Sequence, residues 1–224
     1  MSEREKRNSL VCRNRGPVLP SPQNVGGGAA PDTSGAVVAA DPMDEEAIPE
    51  TSDLRVLIWD LDECFWTGTL DDAGPPPRPI ARNCALVKSL AARGVVSSIC
   101  SRNDPSAVRV HLQGLGMWDW FVFASIAWEM PSKGAAISAT LQALGVQARH
   151  VLFVDDSAVN RADARAGGVC AVPPHALEGV DPLSWGRADP ECTRLVQYRG
   201  LQARREAEVE AAAAAAAADP SGEA

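Results

Sequence analysis

The sequence contains no run of about 18 apolar residues, which is the length that a transmembrane helix requires. Residues 1–14 are charged and include no apolar segment, so we do not expect a secretory signal peptide. Basic residues are in deficit, with 21 Lys and Arg against 29 Asp and Glu and a formal net charge of -8. Nucleic-acid backbones and anionic membrane surfaces are bound by clustered Lys and Arg. The composition therefore predicts a cytoplasmic protein with no nucleic-acid or membrane partner.

Cysteine and histidine show no metal-binding pattern. The six cysteines include no CxxC pair, and the three histidines are scattered along the chain. Most of the cysteines lie inside apolar runs, where cysteine packs as a small hydrophobic residue. The pattern argues against a zinc site and a disulfide framework, and it is typical of proteins from a reducing compartment.

Segments of biased composition flank a patterned central region. Residues 1–52 are rich in Gly, Pro, Ala, Ser and Asp and predict a disordered tail. Residues 188–210 predict a C-terminal helix, and 211–224 an Ala-rich, low-complexity tail that frays from it. Residues 53–187 alternate apolar runs with helical periodicity. This alternation predicts an α/β fold, a three-layer, Rossmann-like and mostly parallel sheet.

The apolar runs and the helical segments alternate regularly within this central region. The predicted strands are Arg55–Leu61, Val95–Cys100, Phe121–Ile126, His150–Val154 and Val169–Val172. The predicted helices are Asn83–Ala92, Pro105–Leu115, Ser132–Leu144, Ala158–Ala166 and Pro190–Glu210, with Asp104 and Ser132 as N-caps. The Gly- and Pro-rich stretch Thr67–Pro79 predicts a short flap and loop, too short for a folded cap domain.

Acidic and small polar residues stand directly after three of the predicted strands. Asp60 and Asp62 end the first strand, Ser101 follows the second, and Asp155–Asp156 follow the fourth. In an open parallel sheet, ligands bind outside the carboxyl ends of the strands, so we expect these side chains to share one crevice. Lys133 follows the third strand and supplies a cation there. Carboxylates, a hydroxyl and a lysine indicate a Mg²⁺ site for phosphoryl chemistry.

Each of these residues has a chemical task available to it. Asp60 and Asp62 share a face of an extended chain, so one can attack phosphorus while the other protonates the leaving group and later activates water. Asp155 or Asp156 can complete a Mg²⁺ coordination shell. The hydroxyl of Ser101 can donate to a phosphate oxygen, and the ammonium of Lys133 can offset developing negative charge.

The four segments together resemble the motifs of the haloacid dehalogenase (HAD) superfamily of Mg²⁺-dependent phosphotransferases. The matching segments are Asp60–Cys64 for the family's DxDx[T/V] motif, Cys100–Asp104, Pro131–Gly134 and Asp155–Asn160. Their order and spacing match over about residues 54–173, and four ordered motifs are more specific than any one of them. The resemblance implies a HAD-like sheet.

The resemblance also implies a role for each site residue. Asp60 would be the nucleophile and Asp62 the general acid and base. Mg²⁺ would be held by Asp60, Asp155 and the backbone carbonyl of Asp62, with Asp156 as a further candidate. The candidates for binding phosphate are Ser101, Arg102, Asn103 and Lys133, and those for supporting contacts behind the ligands are Cys64 and Asn160. From the residues alone, Asn103 and Asn160 are either supporting groups or simple turn residues.

Finer features resemble the capless subfamily IIIC, which includes FkbH-like proteins of natural-product pathways. These features are Trp66–Leu70, Ile126–Trp128 and the later segment Arg194–Arg199. The chain departs from the pattern in two ways: Cys64 stands where the family has Thr or Val, and one residue is inserted before Lys133.

The first functional interpretation is a Mg²⁺-dependent phosphatase that hydrolyses a phosphomonoester through an aspartyl-phosphate on Asp60. Its substrate would be a phosphorylated small molecule or a carrier-linked phosphate. A second interpretation is an FkbH-like glyceryl or acyl transferase-phosphatase of secondary metabolism, in which Cys64 carries an acyl group and an acyl carrier protein is the partner; the alternative for Cys64 is a packed replacement for Thr. A third interpretation is a non-catalytic interaction module.

Overall fold

The computed structural model describes residue 48, residues 51–70 and residues 74–218, with side chains described up to residue 215. The predicted disordered tail over 1–52 lies almost wholly outside these described residues, as does the end of the predicted tail over 211–224. The strands are β1 (Val56–Trp59), β2 (Trp66–Thr67), β3 (Arg78–Pro79), β4 (Val96–Ser101), β5 (Ser125–Ile126), β6 (Val151–Val154) and β7 (Cys170–Val172). The α-helices are α1 (Ala81–Ala91), α2 (Pro105–Gly114), α3 (Lys133–Leu144), α4 (Ala158–Ala166) and α5 (Thr193–Ala218).

Five of the strands form one parallel sheet in the order β5-β4-β1-β6-β7. Strand β1 lies at its centre, where Val56 pairs with Val96 on one side and Val151 on the other. The chain moves outward from β1 in both directions, so the carboxyl end of β1 is the point at which the strand order reverses. The predicted mostly parallel, Rossmann-like sheet is confirmed.

The sheet is covered on both faces, and the alternating side chains of β1 enter two separate cores. Leu57 and Trp59 pack with apolar residues of α1 and α2, namely Leu86, Val87, Leu90, Val108 and Leu112. Val56 and Ile58 face the other way and pack with residues of α3, α4 and α5, namely Ile137, Leu141, Leu144, Ala164 and Leu195. Because both faces are buried, β1 is apolar at every position. The three predicted layers are present.

The third predicted strand is shorter than expected. Only Ser125–Ile126 pair with β4, and Phe121 makes an isolated bridge to Ser97. Between them, Phe123 has a φ of 50°, which takes its backbone out of the extended region. Its amide donates instead to Oε1 of Gln202 in α5.

The remaining elements differ from the prediction mainly in their ends. Helix α5 begins at Thr193 rather than Pro190 and continues to Ala218 rather than ending at Glu210, in keeping with the high helix propensity of its alanine run. Strands β2 and β3 pair as a small antiparallel hairpin within the predicted flap. Among the described residues, no helix combines the length and the apolarity needed to cross a membrane.

The segment before α5 is fastened to the turn between α1 and β4. The amides of Arg187 and Asp189 donate to the carbonyls of Arg93 and Ala92. The carboxylate of Asp189 accepts the amides of Thr193 and Arg194, so it satisfies donors of the first turn of α5 that have no partner within the helix.

Candidate active site

The carboxyl ends of β1 and β6 bring two buried carboxylates together. The amide of Asp60 donates to the carbonyl of Val154, and the amide of Asp155 donates to that of Val172, so the parallel ladder continues one residue past each strand. Both aspartates are buried, Asp155 completely. The sheet therefore fixes the backbone from which each carboxylate enters the crevice.

Lys133, the first residue of α3, bridges these two carboxylates. Its Nζ lies 2.7 Å from Oδ1 of Asp60 and 2.6 Å from Oδ2 of Asp155. The helix begins at the predicted N-cap Ser132, whose hydroxyl accepts the amide of Ala135. Although the sequence has an extra residue before Lys133, the side chain reaches both aspartates.

Burial and the neighbouring charges shift the pKa values of Asp60 and Lys133. Burial, with the charge of Asp155, raises the pKa of Asp60 above its usual range against the opposing attraction of Lys133. For Lys133, burial alone would lower the pKa, but the attraction of Asp60 and Asp155 outweighs it and the pKa stands above its ordinary value. Lys133 is therefore a permanent cation of the site at neutral pH.

Three carboxylates are close enough to share a metal ion. Oxygens of Asp60, Asp155 and Asp156 all lie within 4.8 Å of one another, and Asp156 is exposed. The ammonium of Lys133 offsets part of their combined negative charge, and the excess favours a divalent cation. Oxygen-only ligands of this kind suit Mg²⁺. The donor set thus fits the ion that the sequence predicts.

The start of α4 holds Asp155 in place. Nδ2 of Asn160 lies 3.2 Å from each carboxylate oxygen of Asp155, and the amide of Ser157 donates to Oδ1 at 2.8 Å. Nη1 of Arg161 donates to the backbone carbonyls of Asp155 and Asp156. The amide of Asn160 therefore lies directly behind Asp155, a candidate ligand.

Asp62 belongs to a different set of contacts, since its side chain is not part of the three-carboxylate cluster. Its Oδ1 accepts the indole N–H of Trp66 at 2.8 Å and the amide of Leu70 at 3.1 Å, while its Oδ2 accepts Nδ2 of Asn103 at 3.0 Å. The metal role that the resemblance implies for Asp62 uses its backbone carbonyl and not this side chain.

The candidate phosphate-binding residues at the end of β4 occupy two environments. Ser101 and Asn103 are buried, and Nδ2 of Asn103 donates to Oγ of Ser101 at 3.2 Å. Arg102 is exposed and donates from Nη1 to Oδ1 of Asn160 at 3.4 Å. This contact links the loop after β4 to α4 across the mouth of the site.

Cys64 is a packed residue in this structure. Its side chain is completely buried and its thiol donates to the carbonyl of Val154 over 3.4 Å. Burial, together with the charges of the neighbouring aspartates Asp60, Asp155 and Asp156, raises the pKa of this thiol well above its usual range. A thiolate, the form that attacks acyl groups, is disfavoured there.

Sequence reasoning did not identify several supporting residues. The donors to Asp62 from Trp66 and Leu70 are among them. Asn83 is another: it is buried on the apolar face of α1 and donates to the carbonyls of Cys64 and Phe65. Its place among Leu86, Val87 and Leu90 at helical spacing was the available signal, because a polar side chain on a core-facing stripe needs a partner.

The sequence matches no family model. A phosphoglycolate phosphatase of Rhodospirillum rubrum is 36% identical over 92 residues, a match that covers 39% of this chain and 38% of that protein. The chain thus matches well under half the length of this curated relative.

Solved structures with a similar backbone were also found. A HAD-superfamily hydrolase of subfamily IA from Geobacter sulfurreducens is 14% identical, with a TM-score of 0.46 over 56% of this chain and 90% of that one. A 3-deoxy-D-manno-octulosonate 8-phosphate phosphatase from Moraxella catarrhalis, with magnesium and phosphate ions, is 14% identical, with a TM-score of 0.44 over 72% and 95%. The N-terminal part of a Bacteroides fragilis protein, with a phosphatase domain bound to Mg, is 20% identical, with a TM-score of 0.45 over 65% and 40%.

The strand order and the carboxylates at the ends of β1 and β6 are the features on which the sequence resemblance and the fold agree. The chain has a parallel α/β sheet with carboxylates at the ends of two neighbouring strands, and over 92 residues it is similar to a phosphoglycolate phosphatase.

Proposed function

We propose that this chain is a Mg²⁺-dependent, HAD-type phosphatase that hydrolyses a phosphomonoester through an aspartyl-phosphate on Asp60. The observation that carries the proposal is the pairing of Asp60 with Lys133 at 2.7 Å, beside the carboxylates of Asp155 and Asp156. A nucleophilic carboxylate next to a fixed cation and further oxygen ligands is the equipment that phosphoryl transfer requires.

The reaction divides into two displacements at phosphorus. In the first, a carboxylate oxygen of Asp60 forms a bond to phosphorus while the bond from phosphorus to the leaving-group oxygen breaks, and Asp62 gives that oxygen a proton. In the second, Asp62 takes a proton from water as the water attacks phosphorus, which releases inorganic phosphate and restores Asp60. Asp62 ends the cycle in the state in which it began.

The surrounding residues stabilise the charge on the phosphoryl oxygens. Lys133 is fixed beside Asp60 and supplies a positive charge without having to reorganise during the reaction. The hydroxyl of Ser101 and the guanidinium of Arg102 provide further donors at the end of β4. Mg²⁺ held by Asp60, Asp155 and the carbonyl of Asp62, with Asp156 as a further candidate, would neutralise part of the charge of the phosphoryl group.

The proposal is tested by hydrolysis of 4-nitrophenyl phosphate with the full chain. We expect turnover that requires Mg²⁺, is lost on chelation with EDTA and is abolished in Asp60→Asn. A matched control is Asp119→Asn, because Asp119 lies on the surface in an exposed ion pair with Arg199. Turnover that persists in Asp60→Asn, or that needs no divalent metal, would contradict the proposed mechanism.

Membership of the capless subfamily IIIC is also part of this proposal. Within the described residues, the insertion between β1 and α1 contributes the β2–β3 hairpin and no folded domain. An uncovered site favours a bulky substrate, and a carrier-linked phosphate is therefore a candidate beside a free phosphorylated small molecule. A screen of both substrate classes would separate them.

The acyl-transfer alternative has less support from the geometry. It requires Cys64 to be an accessible thiolate, whereas this thiol is buried and its pKa is raised. The non-catalytic alternative predicts a folded protein that binds Mg²⁺ and has no activity towards any phosphoester in a broad panel.

A further inference from the structure

The carboxylate of Asp62 is held by donors on three sides, and they are distributed unequally between its two oxygens. Oδ1 accepts two hydrogen bonds, from the indole of Trp66 and the amide of Leu70. Among the described residues, Oδ2 accepts one, from Nδ2 of Asn103. A carboxylate oxygen has two lone pairs in its plane, so the described donors saturate Oδ1 and leave one position on Oδ2. A proton on Asp62 is therefore accommodated at Oδ2.

Asn103 connects this oxygen to the phosphate-binding side of the site. Its side chain is completely buried, and its amide nitrogen donates both to Oδ2 of Asp62 and to Oγ of Ser101. An ionised carboxylate only accepts hydrogen bonds, so Asp62 fixes which end of the Asn103 amide faces it. Because Ser101 accepts from Asn103, its own O–H hydrogen is directed elsewhere and is available to a phosphate oxygen.

These contacts favour a supporting role for Asn103 over direct binding of phosphate. Both of its observed donor contacts go to protein oxygens. Its Oδ1 is buried without a partner among the described residues, and as an acceptor it would repel phosphate oxygens. Asn103 is therefore unsuited to bind phosphate directly.

We propose that Asn103 and Trp66 are positioning residues that leave Oδ2 of Asp62 as the proton-carrying atom, and that Asn103 also directs the hydroxyl of Ser101 to the phosphate. This inference rests on the proposed phosphatase function and adds residues to it. During the first displacement, the proton on Oδ2 passes to the leaving-group oxygen as its bond to phosphorus breaks. The carboxylate that remains is stabilised by the donors from Trp66, Leu70 and Asn103.

Two esters that differ in their need for this proton test the assignment. Nitrophenolate departs from 4-nitrophenyl phosphate without protonation, whereas the alkoxide of an alkyl phosphate such as glycerol phosphate must be protonated. The constant kcat/KM reports only the steps up to departure of the leaving group. The ratio of kcat/KM for the two esters therefore measures how much that departure depends on the proton. General acid catalysis contributes about 10²–10⁴-fold, so we expect Trp66→Phe and Asn103→Leu to lower kcat/KM for the alkyl ester at least about tenfold more than for the aryl ester.

The two variants are also expected to differ from each other. Trp66→Phe removes a donor to Asp62 and leaves the contacts of Ser101 in place, so KM should stay near the wild-type value for both esters. Asn103→Leu also frees the hydroxyl of Ser101, so KM should rise for both. Asn160→Leu is the matched control, because Asn160 supports Asp155 and not Asp62. This variant should lower kcat/KM by the same factor for the two esters.

The outcomes separate this inference from the function on which it rests. If Trp66→Phe lowers kcat/KM by the same factor for both esters, the positioning role is wrong and the phosphatase function still stands. Trp66→Phe provides this test even if Asn103→Leu does not fold. If the unaltered protein hydrolyses neither ester in the presence of Mg²⁺, the proposed function and the positioning roles both fail.

Discussion

The amide of Gly134 donates to Oδ2 of Asp163 over 2.7 Å, which joins the first turn of α3 to α4. The two helices approach so closely there that a Cβ at position 134 would lie 2.8 Å from the backbone oxygen of Asp163. Lys133 is the preceding residue. The close approach therefore sets the position of the helix that carries the lysine of the candidate site.

The first prediction concerns this approach. Gly134→Ala should push α3 away from α4, lower the free energy of unfolding by about 1–3 kcal/mol and reduce phosphatase activity by displacing Lys133. Urea unfolding and kcat measure the two effects. Gly114→Ala is the control, because a Cβ at the end of α2 meets nothing within 4 Å. Equal stability of the two variants would show that α3 adjusts without cost.

A second prediction follows from the burial of Lys133. Lys133→Met leaves Asp60 and Asp155 without their cation, and breaking a buried pair in this way typically costs about 3–5 kcal/mol. We expect a lower free energy of unfolding without metal, no phosphatase turnover, and a larger rise of Tm on adding Mg²⁺ than in the unaltered protein. Lys88→Met on the exposed face of α1 should change none of the three. A Tm that does not respond to Mg²⁺ would argue against the metal site.

The third prediction concerns the buried thiols. Cys64 and Cys100 should resist iodoacetamide at pH 8 in the folded protein and react in urea, because burial raises the pKa of both thiols, that of Cys100 to about 12. Peptide mass spectrometry reads the modified sites. Cys64→Ala should retain phosphatase turnover; loss of turnover together with a trapped acyl thioester on Cys64 would restore the acyl-transfer alternative.

The fourth prediction is a pH dependence at the start of α5. The amide of Arg194 and the hydroxyl and amide of Thr193 hydrogen-bond to Asp189 and lower the pKa of this carboxyl below its usual value. A lowered pKa stabilises the folded state above the unfolded-state pKa, about 3.9, and the effect is lost as the pH falls through the folded-state pKa.

The corresponding variant is Asp189→Ala. It should lower the free energy of unfolding by about 1 kcal/mol at pH 7, the usual loss for a residue that caps a helix. The difference from the unaltered protein should narrow as the pH falls below about 4. Denaturation at a series of pH values measures the difference in free energy of unfolding between the two proteins. If this difference stays constant down to pH 3, the carboxylate is not its origin.

Local sequence signals predicted the framework of the fold well. Apolar runs ending in Asp60 and Asp155 identified two central strands, and the predicted caps Asp104 and Ser132 accept amides as expected. These features depend on a few neighbouring residues, so the sequence displays them directly. The irregular backbone at Phe123 depends on a side chain in α5, far along the chain, and no local pattern reveals it.

The residues of the site could be predicted from the sequence, but most of the contacts between them could not. Asp60, Asp62, Asp155 and Lys133 were all identified as candidates, and three of the four lie within one set of ion pairs. The partners of Asp62 could not be inferred, because they come from a flap amide, an indole and a residue 41 positions away. Such contacts depend on side-chain direction, which spacing alone does not specify.

The small β2–β3 hairpin has a consequence for the fate of the phosphoryl group. Active sites that close over their substrate exclude bulk water and so protect a reactive intermediate from it. Among the described residues, no folded domain stands between Asp60 and solvent. A phosphoryl group on Asp60 would then be divided among acceptors according to their abundance, and water is the most abundant of them. If Asp60 carries the phosphoryl group as proposed, an opening covered only by this small hairpin favours release of inorganic phosphate over transfer to a second alcohol.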